Sequence, residues 1–224
     1  MLSWSGGKDS FAALLRLEAN PNIRVAALVT TLAESYCRIS MHGVPESLLD
    51  AQAQALGLPL AKCLLPDPCD NDTYCSRFSA TLAPWHAAGI HGIAFGDLFL
   101  VAIRAFREEQ MRELGLEPIF PLWGEPTERL AREFITTGHR AILTMIDAEQ
   151  LDPAFLGRSY DDALLHELPP TVDPCGENGE FHSFVWGGPR FPQPLNFHPG
   201  RREIRAGRFH FLDLIPGVGI SQVV

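Results

Sequence analysis

The sequence lacks any apolar segment near the roughly 18 uninterrupted residues that a membrane-spanning helix needs. A signal peptide is not expected either, because a polar, glycine-rich segment begins at Ser5, where one would lie. Among the five cysteines, at positions 37, 63, 69, 75 and 175, no Cys-x-x-Cys pair occurs. We therefore expect reduced thiols in a cytoplasmic protein, with neither a disulfide framework nor a zinc site.

Positive charge is scarce as well. The 224 residues carry a net charge of −9, which disfavours a general nucleic-acid-binding protein because such proteins need a basic face. One exception is an arginine cluster, interleaved with phenylalanines and formed by Arg201, Arg202, Arg205 and Arg208. We interpret this arginine cluster as the polar side of a C-terminal hairpin, with a small RNA-facing patch as the alternative.

Lysine is nearly absent, since only Lys8 and Lys62 stand against sixteen arginines. Lys8 follows two glycines and precedes an apolar periodicity that predicts a helix over residues 8–19. Glycines let backbone N–H groups approach a ligand, and a helix N-terminus attracts anions. Residues 5–10, Ser-Gly-Gly-Lys-Asp-Ser, therefore predict a phosphate loop, with a plain turn as the alternative. The loop is not a Walker A motif, which needs Gly-x4-Gly-Lys-Ser/Thr.

The first half of the chain alternates between apolar segments and helical periodicity. Strands are predicted at 25–30, 60–65 and 90–95, and helices at 46–56, 71–88 and 98–114. This alternation predicts a parallel α/β sheet with helices on both faces and a site at the carboxyl ends of its strands. Beyond it the regular pattern fades, which predicts two domains, 1–97 and 98–224. The second is expected to contain strands at 118–122 and 140–146, helices at 127–137 and 161–167, and a hairpin at 203–214.

A second dense group of polar residues, the acidic segment, spans 173–183 and reads Asp-Pro-Cys-Gly-Glu-Asn-Gly-Glu-Phe-His-Ser. Its carboxylates could hold Mg²⁺, exchange protons or bind an amine, and its glycines allow the backbone to approach a ligand. An aromatic apolar segment follows at once. We interpret the acidic segment as part of a functional site, in preference to an acidic surface loop.

Both segments resemble known motifs. Residues 5–10 resemble the PP-loop of the N-type ATP pyrophosphatases, and Gly-Glu-x-Gly-Glu-Phe-His-Ser at 176–183 resembles the signature of the diphthine–ammonia ligase family. Further matches are Gly96-Asp97, Arg104, Pro-Leu-Trp at 121–123 and Leu-Gly-Arg at 156–158. Because of its length and its Met41-His42-Gly43-Val44 segment, the chain is most similar to the short bacterial members.

The resemblance implies a Rossmann-like, HUP-type sheet in a PP-loop ATP-binding domain, 1–97, and a smaller α+β substrate-binding domain, 98–224. It implies an ATP-dependent, AMP- and pyrophosphate-forming ligase that amidates a carboxylate with ammonia through an acyl-adenylate, using ATP and Mg²⁺. The acceptor would be a small molecule or a modified protein side chain, and a homodimer stays open. The alternatives are a PP-loop tRNA-modifying enzyme and a non-catalytic nucleotide-binding regulatory module.

The expected site residues follow from the residue patterns and from the family resemblance. The expected catalytic residues are Lys8, Asp9, Glu177, Glu180 and His182, with Asp9 also binding the metal. The expected nucleotide-binding residues are Ser5, Gly6, Gly7, Lys8, Asp9, Ser10, Val29, Thr30, Thr31, Gly96 and Asp97. The expected substrate-binding residues are His42, Arg104, Gly176, Asn178, Gly179 and Ser183. Loop packing for His42, a helix cap for Asp97 and a salt bridge for Arg104 are the alternative roles.

Overall fold

A computed structural model describes residues 1–39 and 42–217 of the chain. Its first sheet contains five strands: Leu2–Ser3 (β1), Leu28–Ala33 (β2), Leu60–Leu65 (β3), Gly92–Ala94 (β4) and Glu117–Ile119 (β5). All pairs are parallel, in the order β3-β2-β1-β4-β5. Although β1 has only two residues, it lies at the centre, with Leu2 opposite Leu28 on one side and Ala94 on the other. The phosphate loop therefore leaves the carboxyl end of the central strand.

Helices cover both faces of this sheet. They are Lys8–Glu18 (α1), Glu46–Leu56 (α2), Asn71–Ala87 (α3) and Val101–Glu113 (α4). Successive strand residues point to opposite faces, and the neighbours Leu28 and Val29 lie in different core clusters. The cluster around Leu28 includes side chains of α1 and α2, whereas that around Val29 includes side chains of α3 and α4. This arrangement confirms the predicted α/β sheet.

The second sheet has four antiparallel strands: Arg140–Asp147 (β6), Phe181–Gly187 (β7), Phe197–Arg205 (β8) and Phe209–Pro216 (β9). Their order is β7-β6-β9-β8. Two helices, Thr127–Thr136 (α5) and Asp162–Glu167 (α6), accompany the strands, which confirms a smaller α+β unit. Leu28 of the first sheet and Phe184 of the second belong to one continuous core cluster, so the two sheets share packing.

Several predicted boundaries needed correction. Strand β2 begins at Leu28, not Val25, because its partners begin there: Leu2 N donates to Ala27 O and Leu28 N to Pro59 O. It also continues through residues 31–33, beyond the predicted end at residue 30, because these residues pair in register with β3. The final hairpin is longer than predicted, and α4 begins three residues later.

Two further expectations concern the whole chain. The division into two domains after residue 97 stays a prediction. Strand β5, which lies beyond that predicted boundary, pairs with β4 of the first sheet. Met41 of the segment at 41–44 lies outside the described residues. Across residues 1–39 and 42–217, no helix is long and apolar enough to cross a membrane.

Candidate active site

The phosphate loop is held in a tight turn by its own serines. Gly6 adopts a φ of 74°, a value that glycine tolerates without strain. Ser5 Oγ accepts a hydrogen bond from Gly7 N at 3.3 Å and lies 3.2 Å from Ser10 Oγ. Gly7 is the N-cap of α1 and has no side-chain cap, so the helix start keeps donors available to an anion.

A fully buried glutamine of α2 fixes the loop against both sheets. Gln52 Nε2 donates to Gly6 O at 3.0 Å and to Val185 O at 2.6 Å, and its Oε1 accepts from Trp4 Nε1 at 2.9 Å. Val185 N also donates to Gly6 O at 2.9 Å. Gln52 was not among the predicted site residues, although an amide at one of the apolar-face positions of α2 (with Leu48 and Leu56) was a signal.

Lys8 is a buried charged group of the site, with 4% of its surface exposed. Its Nζ donates to both carboxylate oxygens of Asp9, at 2.8 and 2.9 Å, and to the carbonyl of Cys175. It also lies 5.7 Å from the ring centroid of Tyr160 and 5.3 Å from that of Phe181. The phosphate loop and the acidic segment therefore meet at Lys8.

The charge on Lys8 is maintained despite burial. Burial alone lowers the pKa of the ammonium, but the Asp9 carboxylate, supported by more distant negative groups that include Glu177, outweighs it. The pKa of Lys8 therefore lies above its ordinary value. A buried ammonium that stays charged at a helix start suits binding of a phosphate chain.

Internal hydrogen bonds shape the acidic segment. Asp173 Oδ1 accepts from Cys175 N at 2.9 Å and from Glu177 N at 3.3 Å. Gly176 and Gly179 have φ values of 69° and 85°, which turn the chain twice within four residues. The segment then enters β7, where Ser183 Oγ accepts from Lys8 N at 3.2 Å.

Glu177 faces the other acids of the site. Its Oε1 accepts from Leu98 N at 2.8 Å, just after Asp97. Burial raises the pKa of Glu177 to about 7; the negative charges of Asp9 and Asp97 add to the rise, and the Leu98 hydrogen bond and Lys8 oppose it. Glu177 therefore exchanges its proton near neutral pH, which suits a general acid or base.

Two histidines stack beside the loop. The rings of His42 and His182 lie 4.2 Å apart at an interplanar angle of 20°, and His42 Nδ1 lies 3.4 Å from Ser183 O. Burial lowers the pKa of His42 to about 4 and that of His182 well below its usual value; Lys8 lowers both further. Both rings are therefore neutral at physiological pH and add no positive charge next to Lys8.

The other predicted site residues have mixed surroundings. Val29 O accepts from Trp4 N at 2.7 Å, so residues 29–31 of β2 flank the strand that leads into the phosphate loop. A Cβ built on Gly96 would lie 3.0 Å from the carbonyl carbon of Asp9, which explains a glycine there. The contacts of Arg104 lie elsewhere, with a glutamate on its own helix and with two aromatic rings. Its Nε donates to Glu108 at 2.7 Å, and its guanidinium stacks on rings of Phe120 and Trp123.

The carboxylates near the phosphate loop suit a metal ion that nucleotide phosphates also bind, in preference to a metal site made of protein ligands alone. Within the described ranges, no group of three or more His, Cys, Asp or Glu side chains could hold a metal. Mg²⁺ at nucleotide sites takes one or two carboxylates together with phosphate oxygens. Asp9 and Asp97 fit that donor set, because they are electrostatic neighbours and Asp97 Oδ2 is buried without a hydrogen-bond partner in the described part of the chain.

Glu180 has a different environment from Glu177, and we predict a structural effect for its removal. It is 1% exposed, and its Oε1 accepts from Asp173 N at 2.9 Å and Asn178 Nδ2 at 3.0 Å. Glu180→Ala would leave the partly buried Asp173 N–H without this acceptor, so the free energy of unfolding should fall by roughly 1–3 kcal/mol. Urea denaturation measures it. Asn178→Ala, at an exposed position, should cost less, and an unchanged midpoint for Glu180→Ala would contradict this role.

Comparisons with known proteins agree with the two motifs. The model of the diphthamide synthase N-terminal domain matches residues 1–118, and that of the diphthamide synthase C-terminal domain matches residues 126–212. The diphthine–ammonia ligase of Homo sapiens is 27% identical over 215 residues, covering 85% of this chain and 79% of the relative. That of Danio rerio is 28% identical over 214 residues, covering 85% and 83%. The resemblance inferred from the motifs is thereby confirmed.

Proposed function

Because the chain belongs to the diphthamide synthase family, we propose that this ATP-dependent ligase amidates a carboxylate with ammonia, through an acyl-adenylate, and releases AMP and pyrophosphate. Relatives named diphthine–ammonia ligase support the choice of ammonia and of a carboxylate acceptor of the diphthine type. The cytoplasm, expected from the reduced cysteines, is the compartment we assign to it.

One observation carries the proposal: the phosphate loop and the acidic segment contact one another directly. Lys8 N donates to Ser183 Oγ at 3.2 Å, and Lys8 Nζ donates to the carbonyl of Cys175. Reaction between a nucleotide and an acceptor requires the two to be held within bonding distance. A site that joins a phosphate-binding turn to a segment of proton-exchanging groups meets that requirement.

In the first step the acceptor carboxylate attacks the α-phosphorus of ATP, the bond to the bridging oxygen breaks, and pyrophosphate leaves. Lys8 and the backbone N–H groups at the start of α1 would hold the departing phosphates and neutralise their charge. Mg²⁺, held by Asp9 and Asp97, would add further charge neutralisation on the phosphate oxygens. The protein's contribution to this step is alignment and electrostatics.

In the second step ammonia attacks the acyl carbon, the bond to the AMP oxygen breaks, and the nitrogen loses a proton. Glu177 is the group that we assign to receive this proton, because its pKa of about 7 leaves a large ionised fraction at neutral pH. The neutral rings of His42 and His182 would border the acceptor without repelling a positively charged amine.

The RNA-modifying alternative receives less support from the arginine cluster. Arg201 and Arg205 pair with Glu203, at 2.9 and 3.4 Å. Arg208 pairs with Asp147 and Glu149, and Arg202 donates to a backbone carbonyl. Three carboxylates thereby balance most of the charge of the arginine cluster, whereas an RNA-binding face needs a clear excess of positive charge.

The nucleotide product tests the proposal. Phosphorus NMR of the protein with ATP, Mg²⁺, ammonium and a cell extract that supplies the acceptor should reveal AMP and pyrophosphate, since cleavage is assigned to the bond between the α and β phosphates. Omission of ammonium should stop amide formation. Release of ADP and orthophosphate alone would contradict the proposal, and binding of ATP without any product would favour the regulatory module.

A further inference from the structure

A second cavity lies beyond the phosphate loop, between the segment that follows β2 and the β8–β9 hairpin. Its volume is about 380 Å³, which is within the range of small-molecule sites. Its charged walls are formed by Arg38, Asp67, Arg201, Glu203, Arg205 and Asp213. None of these residues was predicted to bind nucleotide or acceptor, and none belongs to the phosphate loop or the acidic segment.

One wall of this cavity carries excess positive charge. The guanidinium of Arg205 lies 4.4 Å from the ring centroid of Phe211 and 5.3 Å from that of Tyr36, so two aromatic rings hold it in place. Arg201 and Arg205 share one carboxylate, Glu203, and the Arg205 contact is long at 3.4 Å. A guanidinium has five donors in a planar fork, so this wall can accept a further carboxylate.

A negatively charged side chain, Asp67, lines another wall of the cavity. Arg38, the third arginine, is already paired with Asp213 at 2.7 Å. Asp67, in contrast, forms no ion pair with a cation of the described residues, although it lines the same cavity. A ligand that brings one carboxylate and one ammonium group would satisfy both walls, whereas an anion alone would leave Asp67 unmatched.

The cavity is connected to the phosphate loop by two residues. Gly43 lines the cavity, and a Cβ there would lie 2.9 Å from the ring of Phe211. The preceding residue, His42, faces the loop, with its Cε1 3.1 Å from a Cβ built on Gly7. Gly43 at the wall of the cavity is therefore the direct chain neighbour of His42 beside the phosphate loop.

From these contacts we propose that the cavity binds the zwitterionic, amino-acid-like end of the acceptor, an inference that rests on the proposed ligase function. Arg205 and Arg201 take the carboxylate of that end, and Asp67 takes its ammonium. The carboxylate to be amidated is a second one, which extends past His42 toward Lys8. The acceptor is thus an amino acid, free or within a larger molecule, that carries an additional carboxylate.

The test is a binding measurement without ATP. Calorimetric titration of the full chain with each standard amino acid should identify dicarboxylic ones, L-glutamate or L-aspartate, as the strongest ligands. Arg205→Ala and Asp67→Asn should each weaken that binding by roughly ten- to a hundredfold, because each removes a charged hydrogen bond. Arg202→Ala is the matched control, since Arg202 is on the same strand, donates to Leu156 O and does not line the cavity. Glutarate lacks the ammonium group, so its affinity for the wild-type protein should be as low as that of L-glutamate for Asp67→Asn.

Two results would overturn the site: no binding of any amino acid at millimolar concentration, or binding that Arg205→Ala leaves unchanged. The proposed function is tested separately by AMP release in the presence of ammonium and cell extract. AMP release without amino-acid binding would refute the cavity assignment and leave the ligase function in place. Binding that depends on Arg205 without AMP release under any condition would refute the ligase function and leave the cavity assignment in place.

Discussion

Lys8→Ala is expected to lower the rate of AMP and pyrophosphate formation by roughly a hundredfold or more. Lys8 is buried at the start of α1 and keeps its positive charge, because Asp9 outweighs the effect of burial on its pKa. No other lysine or arginine forms an ion pair with Asp9 in the described part of the chain, so no second cation replaces it. A coupled assay for pyrophosphate release measures the change.

The chain provides a matched control in its only other lysine. Lys62 lies on β3 and pairs with Glu46 at 2.7 Å and Asp50 at 2.8 Å, away from the phosphate loop. Lys62→Ala should therefore retain the wild-type rate. Circular dichroism should give both variants the wild-type helix and strand content. A folded Lys8→Ala protein with near-normal turnover would contradict the assignment of residues 5–10 as the phosphate loop.

The elements with clear end signals could be predicted from the sequence. Helix α2 has the predicted bounds, since Pro45 precedes it and Gly57 ends it with a φ of 70°. Helix α5 ends one residue earlier than predicted, with Gly138 close behind. Strand bounds were less accurate because a strand extends as far as its neighbours pair with it. Strand β2 illustrates this: its register with β1 and β3 is a tertiary property.

The site residues also divide into those that a local sequence pattern indicates and those that depend on tertiary contacts. The phosphate loop and the acidic segment could be recognised because glycines and charges are concentrated in each. An amide on the apolar face of α2 marked Gln52 as unusual, but its role could not be assigned from sequence, since that role depends on two carbonyls from distant segments, Gly6 and Val185. Tyr160 was missed for a similar reason: a tertiary contact, the hydrogen bond from its N–H to Ala141 O of β6, accompanies its position beside Lys8. The Cys175 carbonyl, a backbone atom, leaves no signal in the residue type at all.

The two glutamates of the acidic segment also could not be separated by sequence. Both were expected to be catalytic, and that assignment stays a prediction. Their contacts differ, however. Glu180 is fully enclosed and accepts hydrogen bonds within its own segment, whereas Glu177 faces Asp9, Lys8 and Asp97. We therefore expect Glu180 to position the segment and Glu177 to exchange protons.

Glu177→Gln should lower amide formation by roughly a hundredfold and remove part of its pH dependence. The Glu177 pKa is raised to about 7, so the side chain is mostly protonated below that pH and mostly ionised above it. If the ionised form receives the proton from ammonia, the wild-type rate of amide formation rises with pH through about 7. Glutamine keeps the size and an oxygen for Leu98 N but cannot ionise, so at a fixed concentration of free ammonia this rise should disappear.

Measurement of both steps separates this role from a defect in nucleotide binding. Exchange of labelled pyrophosphate into ATP reports the first step, and Glu177→Gln should reduce it less than it reduces amide formation, since the proton is transferred only after ammonia attacks. Glu180→Gln is the comparison, because it keeps the Oε1 acceptor for Asp173 N and leaves Glu177 in place. It should retain the pH midpoint near 7. A Glu177→Gln enzyme with the wild-type pH profile would show that another group receives the proton, because glutamine cannot titrate in that range.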